Sequence, residues 1–249
     1  VVGNQLYFAA NNGLLGTELW VTDGTAAGTR LVSNIYTETS SSTINSSYPR
    51  NLINVNGTLF FSAISRNNGR ELWQSNGTAG GTRMVVDLTP GFTGGLTVTN
   101  YVGSWASIGD TLIFTGANYV TNSFGNEPYA YNQATATLTL LKDIYPGSLS
   151  SFPLNYHSYR TPAGVDLVAF GANNNSTGGE LWFTDGTPGG TFLARDINLG
   201  STGSLLGNFT SNFNYDEFTT VGDKFFFRAD DGNVGRELWL SDGTTSGTN

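Results

Sequence analysis

Carboxylates are the residues of this sequence best able to do chemistry. There are nineteen Asp and Glu against eleven Lys and Arg, one His and no Cys in 249 residues. A glycosidase needs two carboxyl groups about 5–10 Å apart, one acting as acid and the other as base or nucleophile. Five acids stand outside any repeated pattern and are the candidates for that work: Glu38, Asp216, Glu217, Asp230 and Asp231. Asp216 and Glu217 are adjacent, so on a strand they would face opposite sides. Asp230 and Asp231 lie in a loop with Gly232 and Asn233. Solvated loop acids are the plain reading there. A weak calcium site is the alternative, because calcium takes several oxygen ligands, but no DxDxDG loop is present. His157 has no second His or Cys to make a zinc site or a catalytic pair with. Ser150, Ser151 and Ser158 lie in no GxSxG elbow, and Gly94-Gly95 lack the Lys of a phosphate loop. The expectation is that the chain is not an enzyme and holds no cofactor, with calcium as the one candidate.

The other fourteen acids fall at repeated positions. Glu18-Leu19-Trp20-Val21-Thr22-Asp23-Gly24-Thr25 recurs at Glu71 to Thr78, at Glu180 to Thr187 and at Glu237 to Thr244. A degenerate copy runs Glu127-Pro128-Tyr129. The five Glu are 53, 56, 53 and 57 residues apart. A residue needed once per repeat is architectural before it is catalytic, because one active site is enough. Glu18, Glu71, Glu127, Glu180 and Glu237 are expected to pair with backbone or Arg. Asp23, Asp185 and Asp242 are expected to hold a turn. Trp20, Trp73, Trp182 and Trp239 are expected to pack between sheets rather than stack on sugars.

These residues need strands to position them. An apolar run precedes each motif, such as Leu59 to Ala63 and Leu167 to Phe170, and a third run follows it, such as Arg83 to Leu88. The runs are short, rich in Val, Leu, Phe and Thr, and bounded by Gly, Asn and Asp. Asn-Gly and Asp-Gly favour hairpin turns. About 55 residues with four strands make one propeller blade. The fold expected is an all-β propeller of about five four-stranded blades, incomplete at both chain ends, in one domain. Its units are placed at 1–50, 51–106, 107–162, 163–219 and 220–249.

The motif resembles that of the bacterial ELWxxDGT-repeat proteins over nearly the whole chain. That resemblance implies a secreted or surface-attached bacterial repeat protein with a propeller-like fold and no assigned reaction. The third copy, with Pro128 and Tyr129, departs most, so a distorted blade is expected there. Asn76 replaces the usual Asp in the second copy.

Composition agrees with an extracellular or cell-surface setting. Net charge is −8, Lys occurs only at Lys142 and Lys224, and Gly, Thr, Asn and Ser make up 113 residues. Scattered basic residues leave no footprint for nucleic acid. No apolar run of ~18 residues exists to span a membrane as a helix. Beginning at Val1-Val2-Gly3, the chain reads as a mature or excised portion of something longer. The expected role is a non-catalytic binding or structural module. Its partner would be an extracellular protein, a glycan or copies of itself. The alternatives are a filament or sheath subunit that pairs through open blade edges and a carbohydrate-active enzyme using the non-repeated acids. Polar loops on a rigid scaffold are where binding resides, so the loop aromatics Tyr36, Tyr101, Trp105, Tyr145, Tyr156 and Tyr159 are the candidate contacts. N-glycan sequons occur at Asn45, Asn174, Asn175 and Asn208, with Asn56 and Asn76 less credible because they sit in tight turns.

Overall fold

The structure, a computed structural model, describes residues 1–37, 45–91, 94–96, 105–118, 124–205 and 218–249. Every regular element among them is a strand. The strands form five consecutive antiparallel meanders, the blades of a β-propeller fold. The first holds β1 (Leu6–Asn11), β2 (Thr17–Thr22) and β3 (Arg30–Ser33). The second holds β4 (Arg50–Val55), β5 (Thr58–Ser65), β6 (Gly69–Ser75) and β7 (Arg83–Val86). The third holds β8 (Ala106–Ile108), β9 (Thr111–Asn118), β10 (Phe124–Asn132) and β11 (Thr137–Leu140). The fourth holds β12 (Leu154–Arg160), β13 (Asp166–Asn174), β14 (Gly178–Thr184) and β15 (Phe192–Leu193). The fifth holds β16 (Thr219–Val221), β17 (Lys224–Asp230) and β18 (Arg236–Ser241).

The order within each sheet follows the sequence. Local hairpins explain this: Gly57 and Gly222 adopt φ of 87° and 63° at the first turns of the second and fifth blades, a region open to glycine at no steric cost. The boundary placed at residue 162 differs from the sheet boundary. β12 pairs with β13, from Leu154↔Gly171 to Arg160↔Asp166, and so opens the fourth blade. The third blade is regular despite its degenerate motif. β10 pairs with β11 from Tyr129↔Leu140 onward, and the Pro128 carbonyl accepts the Leu141 N–H at 2.9 Å.

The chain divides into two compact units. One takes β1–β7 with the end of β9, and the other takes the remaining strands. In the first unit, Leu19, Val21 and Val32 of the first blade pack on Leu59, Phe61 and Ala63 of the second, with Trp73 against them. Arg30 adds a polar tie, its Nη2 donating to the Gly77 carbonyl at 3.0 Å. In the second unit, Ile113 and Leu141 pack on Tyr156, Phe170 and Trp182. Phe183 and Leu181 pack on Phe225 and Phe227. Arg195 lies over Trp239 at 5.8 Å and donates to the Thr248 carbonyl at 2.8 Å. Both faces of the fourth blade are thus apolar, one covered by the third blade and the other by the fifth.

Candidate functional site

Four of the five motif Glu are consumed by their own blades and the loops that leave them. Glu18, Glu71, Glu127 and Glu180 are completely buried. Each accepts a backbone N–H from the residue seventeen further on: Ile35, Leu88, Ile144 and Ile197. A second N–H comes from further along the loop that leads to the next blade. Its donors are Ser47 to Glu18 at 3.1 Å, Gly95 to Glu71 at 2.5 Å, Ser151 to Glu127 at 2.9 Å and Ser204 to Glu180 at 2.8 Å. The three Ser hydroxyls donate as well, those of Ser47 and Ser151 at 2.6 Å. Each carboxylate therefore clamps the long loop that leaves its blade. Burial pushes the Glu71, Glu127 and Glu180 carboxyls up to about 7. Desolvation of the charge outweighs the donors that favour it. Glu18 is raised by the same cause. Glu237 departs from this expectation. It is exposed and accepts no such pair of N–H groups among the described residues.

The Asp-Gly-Thr motif is a turn staple. Asp23 Oδ1 accepts the Thr25 N–H at 2.9 Å and the Thr25 hydroxyl at 2.7 Å. The Gly28 N–H returns to Thr25 Oγ1, and Thr29 Oγ1 donates to the Thr25 carbonyl. Asp185 and Asp242 repeat the pattern. Asn76 does the same with its amide oxygen, at 3.1 and 2.7 Å. The second Gly-Thr of each repeat follows from this. A Cβ on Gly28, Gly81, Gly190 or Gly247 would lie within about 2 Å of the stapling side chain. Trp73, Trp182 and Trp239 pack between blades, while the indole N–H groups of Trp20, Trp73 and Trp182 meet no acceptor among the described residues.

The candidate contact residues do not form one site. Tyr156 and Tyr159 are corrected from loop to strand: both lie in β12 and are buried. The two lie on opposite faces of the sheet, Tyr156 packing with Ile113 and Phe170 and Tyr159 with Phe183 and Phe225, so both faces of this strand are covered. Tyr156 Oη lies 2.9 Å from Thr115 Oγ1, and Tyr159 Oη donates to the Asp223 carbonyl at 2.8 Å. Trp105 precedes β8 and packs against Phe114 with ring centres 5.7 Å apart. Tyr36 and Tyr145 are half-buried, and Tyr145 donates to Asn175 Oδ1 at 3.2 Å. His157 in β12 lies 3.0 Å from Thr220 Oγ1. Tyr101, Asn208, Glu38, Asp216 and Glu217 lie outside the described residues. Of the remaining sequons, Asn45 is half-buried, Asn174 holds its own turn through the Ser176 and Thr177 N–H groups, and Asn175 is exposed.

Asp230 and Asp231 are each tied into their loop. Asp230 Oδ1 accepts the Gly232 N–H, and Asp231 Oδ1 accepts those of Asn233 and Val234. The two Asp231 bonds hold its carboxyl below the ordinary range. No group of three or more His, Cys, Asp or Glu suited to a metal ion occurs among the described residues, so the calcium candidate gains no further acidic ligand.

Two polar features were missed by the sequence reading. The Ser at Glu+24 in the third and fourth blades, Ser151 and Ser204, carried a weak signal in its repeated spacing. Arg70, 6% exposed, carried none, because the residue before the motif Glu changes from blade to blade: Thr17, Arg70, Asn126, Gly179, Arg236.

No family model matches the chain, and no curated protein matches it. Several solved structures are similar. Puromycin hydrolase aligns over 98% of this chain and 34% of its own, at 14% identity and a TM-score of 0.48. The Dos1 propeller aligns over 94% and 52%, at 12% identity and 0.42. An endo-arabinase from Bacteroides thetaiotaomicron VPI-5482 aligns over 81% and 78%, at 12% identity and 0.34. The chain thus spans about a third of the length of puromycin hydrolase. The expectation that the chain is not an enzyme is corrected by these comparisons: puromycin hydrolase and endo-arabinase are enzymes, as is a similar thermostable family-43 glycoside hydrolase.

Proposed function

We propose that this chain is a ligand-binding propeller module of a secreted or surface-held bacterial protein of the ELWxxDGT-repeat type. Its ligand would be an extracellular glycan or protein. One observation carries the reading. The repeated Glu of four blades and the repeated turn acids satisfy backbone groups of their own blades and of the loops that leave them. What varies between blades is then free to select a ligand. The test is an array of glycans and extracellular peptides probed with the chain. Saturable binding, weakened by changes at variable positions such as Tyr36 or Tyr145, is expected. Absence of saturable binding across the array would overturn the reading.

A carbohydrate-active enzyme using non-repeated acids is the second reading. It is favoured by the Asp230–Asp231 loop, where two adjacent non-repeated acids stand together and the Asp231 carboxyl, held below its ordinary range by the Val234 and Asn233 N–H groups, stays ionised as a nucleophile must. Release of reducing ends from a polysaccharide panel, abolished by Asp231→Asn, is the expected result. Equal release by the variant would remove these acids from consideration.

A further inference from the structure

We propose that Arg70 and Arg50 of the second blade bind an oxyanion, the carboxylate or sulfate group of an acidic polysaccharide. The proposal deepens the binding reading and rests on it.

Arg70 lies near the start of β6 and is 6% exposed. Its Nη1 donates to the Tyr48 carbonyl at 2.9 Å, to Ser62 Oγ at 3.0 Å and to the Ser62 carbonyl at 3.3 Å. All three acceptors are neutral. Its Nε is buried without an acceptor among the described residues. A buried charge normally carries a partner, since each unpaired ion costs several kcal/mol of desolvation. Here the neighbouring charge has the same sign. Arg50 is exposed, and its position on β4 pairs with Ser62 on β5. Ser62 and Ile64 share a face, and Ile64 pairs with Arg70, so the two arginines lie on one side of the sheet. Burial and the Arg50 charge lower the Arg70 guanidinium to about 10, which leaves it charged at neutral pH.

The fourth blade shows that the fold does not require this arrangement. There Arg50, Ser62 and Arg70 correspond to Leu154, Gly171 and Gly179. Leu205 and Leu154 close over Gly171, their Cδ1 atoms 3.1 and 3.7 Å from where its Cβ would be. Apolar packing fills the corner in that blade. The second blade instead places two cations there, in a chain of net charge −8. A guanidinium fork matches a carboxylate or sulfate with two parallel bonds. Tyr48, whose carbonyl accepts the Arg70 bond, is itself 48% exposed and adds an aromatic residue to the neighbourhood.

The experiment is calorimetric titration of the 249-residue chain with oligogalacturonate, with sulfated dextran and with neutral dextran. One or both charged ligands should bind, and binding should weaken as salt rises. Arg50→Gln, at an exposed position, should weaken it about tenfold or more with an unchanged melting temperature. Arg70→Lys, which keeps the charge but loses the fork, should weaken it as well. The two charged arms distinguish carboxylate from sulfate. Equal affinity in wild type and Arg50→Gln would overturn the site and leave the binding reading standing, as would binding of neutral dextran alone. If these three ligands and the glycan and peptide array all fail to bind, the site and the binding reading both fall. If Arg70→Lys does not fold, Arg50→Gln decides the matter by itself.

Discussion

In the second blade Glu71 accepts the Leu88 and Gly95 N–H groups, and in the fourth Glu180 accepts those of Asn198 and Ser204, with the Ser204 hydroxyl added. Asn76 and Asp185 staple the following turns through the same pair of Thr bonds. The two sheets share a strand order and a register from Trp to the preceding Phe, Phe61↔Trp73 and Phe170↔Trp182. They part at one corner, where Arg50, Ser62 and Arg70 stand against Leu154, Gly171 and Gly179. Positions that agree between the blades are those whose polar atoms answer backbone groups. At the differing corner Arg70 also donates to the Tyr48 and Ser62 carbonyls, but the fourth blade keeps the same sheet with Gly179 there, so the strand order does not depend on it.

The largest effect should come from removing the shared clamp. Glu71→Ala and Glu180→Ala each leave at least two buried N–H groups without an acceptor. Each should cost about 3 kcal/mol, from ~1–3 for every orphaned group. For a chain of this size that is a fall of roughly 6–12 °C in melting temperature, followed by circular dichroism. Similar losses in the two blades would keep them equivalent. A loss confined to one would break the comparison at its base.

Acidity probes the same clamp without mutation. Glu71 and Glu180 are pushed from 4.5 up to about 7 by burial, so the folded chain holds these protons longer than the unfolded chain does. Their contribution is complete below about pH 4.5 and is lost as pH rises through about 7. The melting temperature should therefore fall between pH 5 and pH 8, on the order of 5 °C. Glu71→Gln and Glu180→Gln should each flatten part of that slope. A profile that rises over this range would refute burial as the dominant influence on these carboxyls.

How much of this was legible beforehand depends on which atoms do the work. Strand order and blade number were visible because apolar runs, Asp-Gly turns and a 53–57 residue spacing are properties of side chains in sequence. The architectural role of the motif Glu was legible from its repetition, but its partners were not. They are mostly backbone N–H groups, which every residue except proline carries, selected by loop geometry. β12 was missed because the polar Asn155, His157 and Ser158 interrupt its apolar pattern, so Tyr156 and Tyr159 read as loop. Arg70 gave no signal because the residue before the motif Glu changes from blade to blade. A lone buried cation shows itself only when its acceptors prove neutral.

The turn staple allows a third, smaller test. Gly81→Ala and Gly190→Ala place a Cβ 1.9 Å from Asn76 Oδ1 and 2.1 Å from Asp185 Cγ. Either the stapling side chain swings away or the turn backbone moves. The cost should be about 2 kcal/mol in both blades, read from urea unfolding. Gly80 and Gly189 neighbour them and have open space at the same construction, so Ala there should be tolerated. A strong loss at Gly80 or Gly189 would mean that the steric account is wrong.

The smallest effect is expected where the blades differ most visibly in their motif. Asn76→Asp restores the residue of the other copies, and Asp185→Asn makes the reverse change. The accepting atom is Oδ1 in both, with Thr hydroxyl bonds of 2.7 Å in each blade. Both turns are solvent-exposed, where an added charge is worth little. Each substitution should therefore shift stability by no more than about 0.5 kcal/mol. The sign should favour Asp slightly, since a charged acceptor strengthens the bond. A loss above about 1 kcal/mol for Asn76→Asp would require the amide nitrogen of Asn76 to donate a bond that Asp cannot make. The second blade would then differ from the fourth in its skeleton, and the argument from the arginine corner would lose its control.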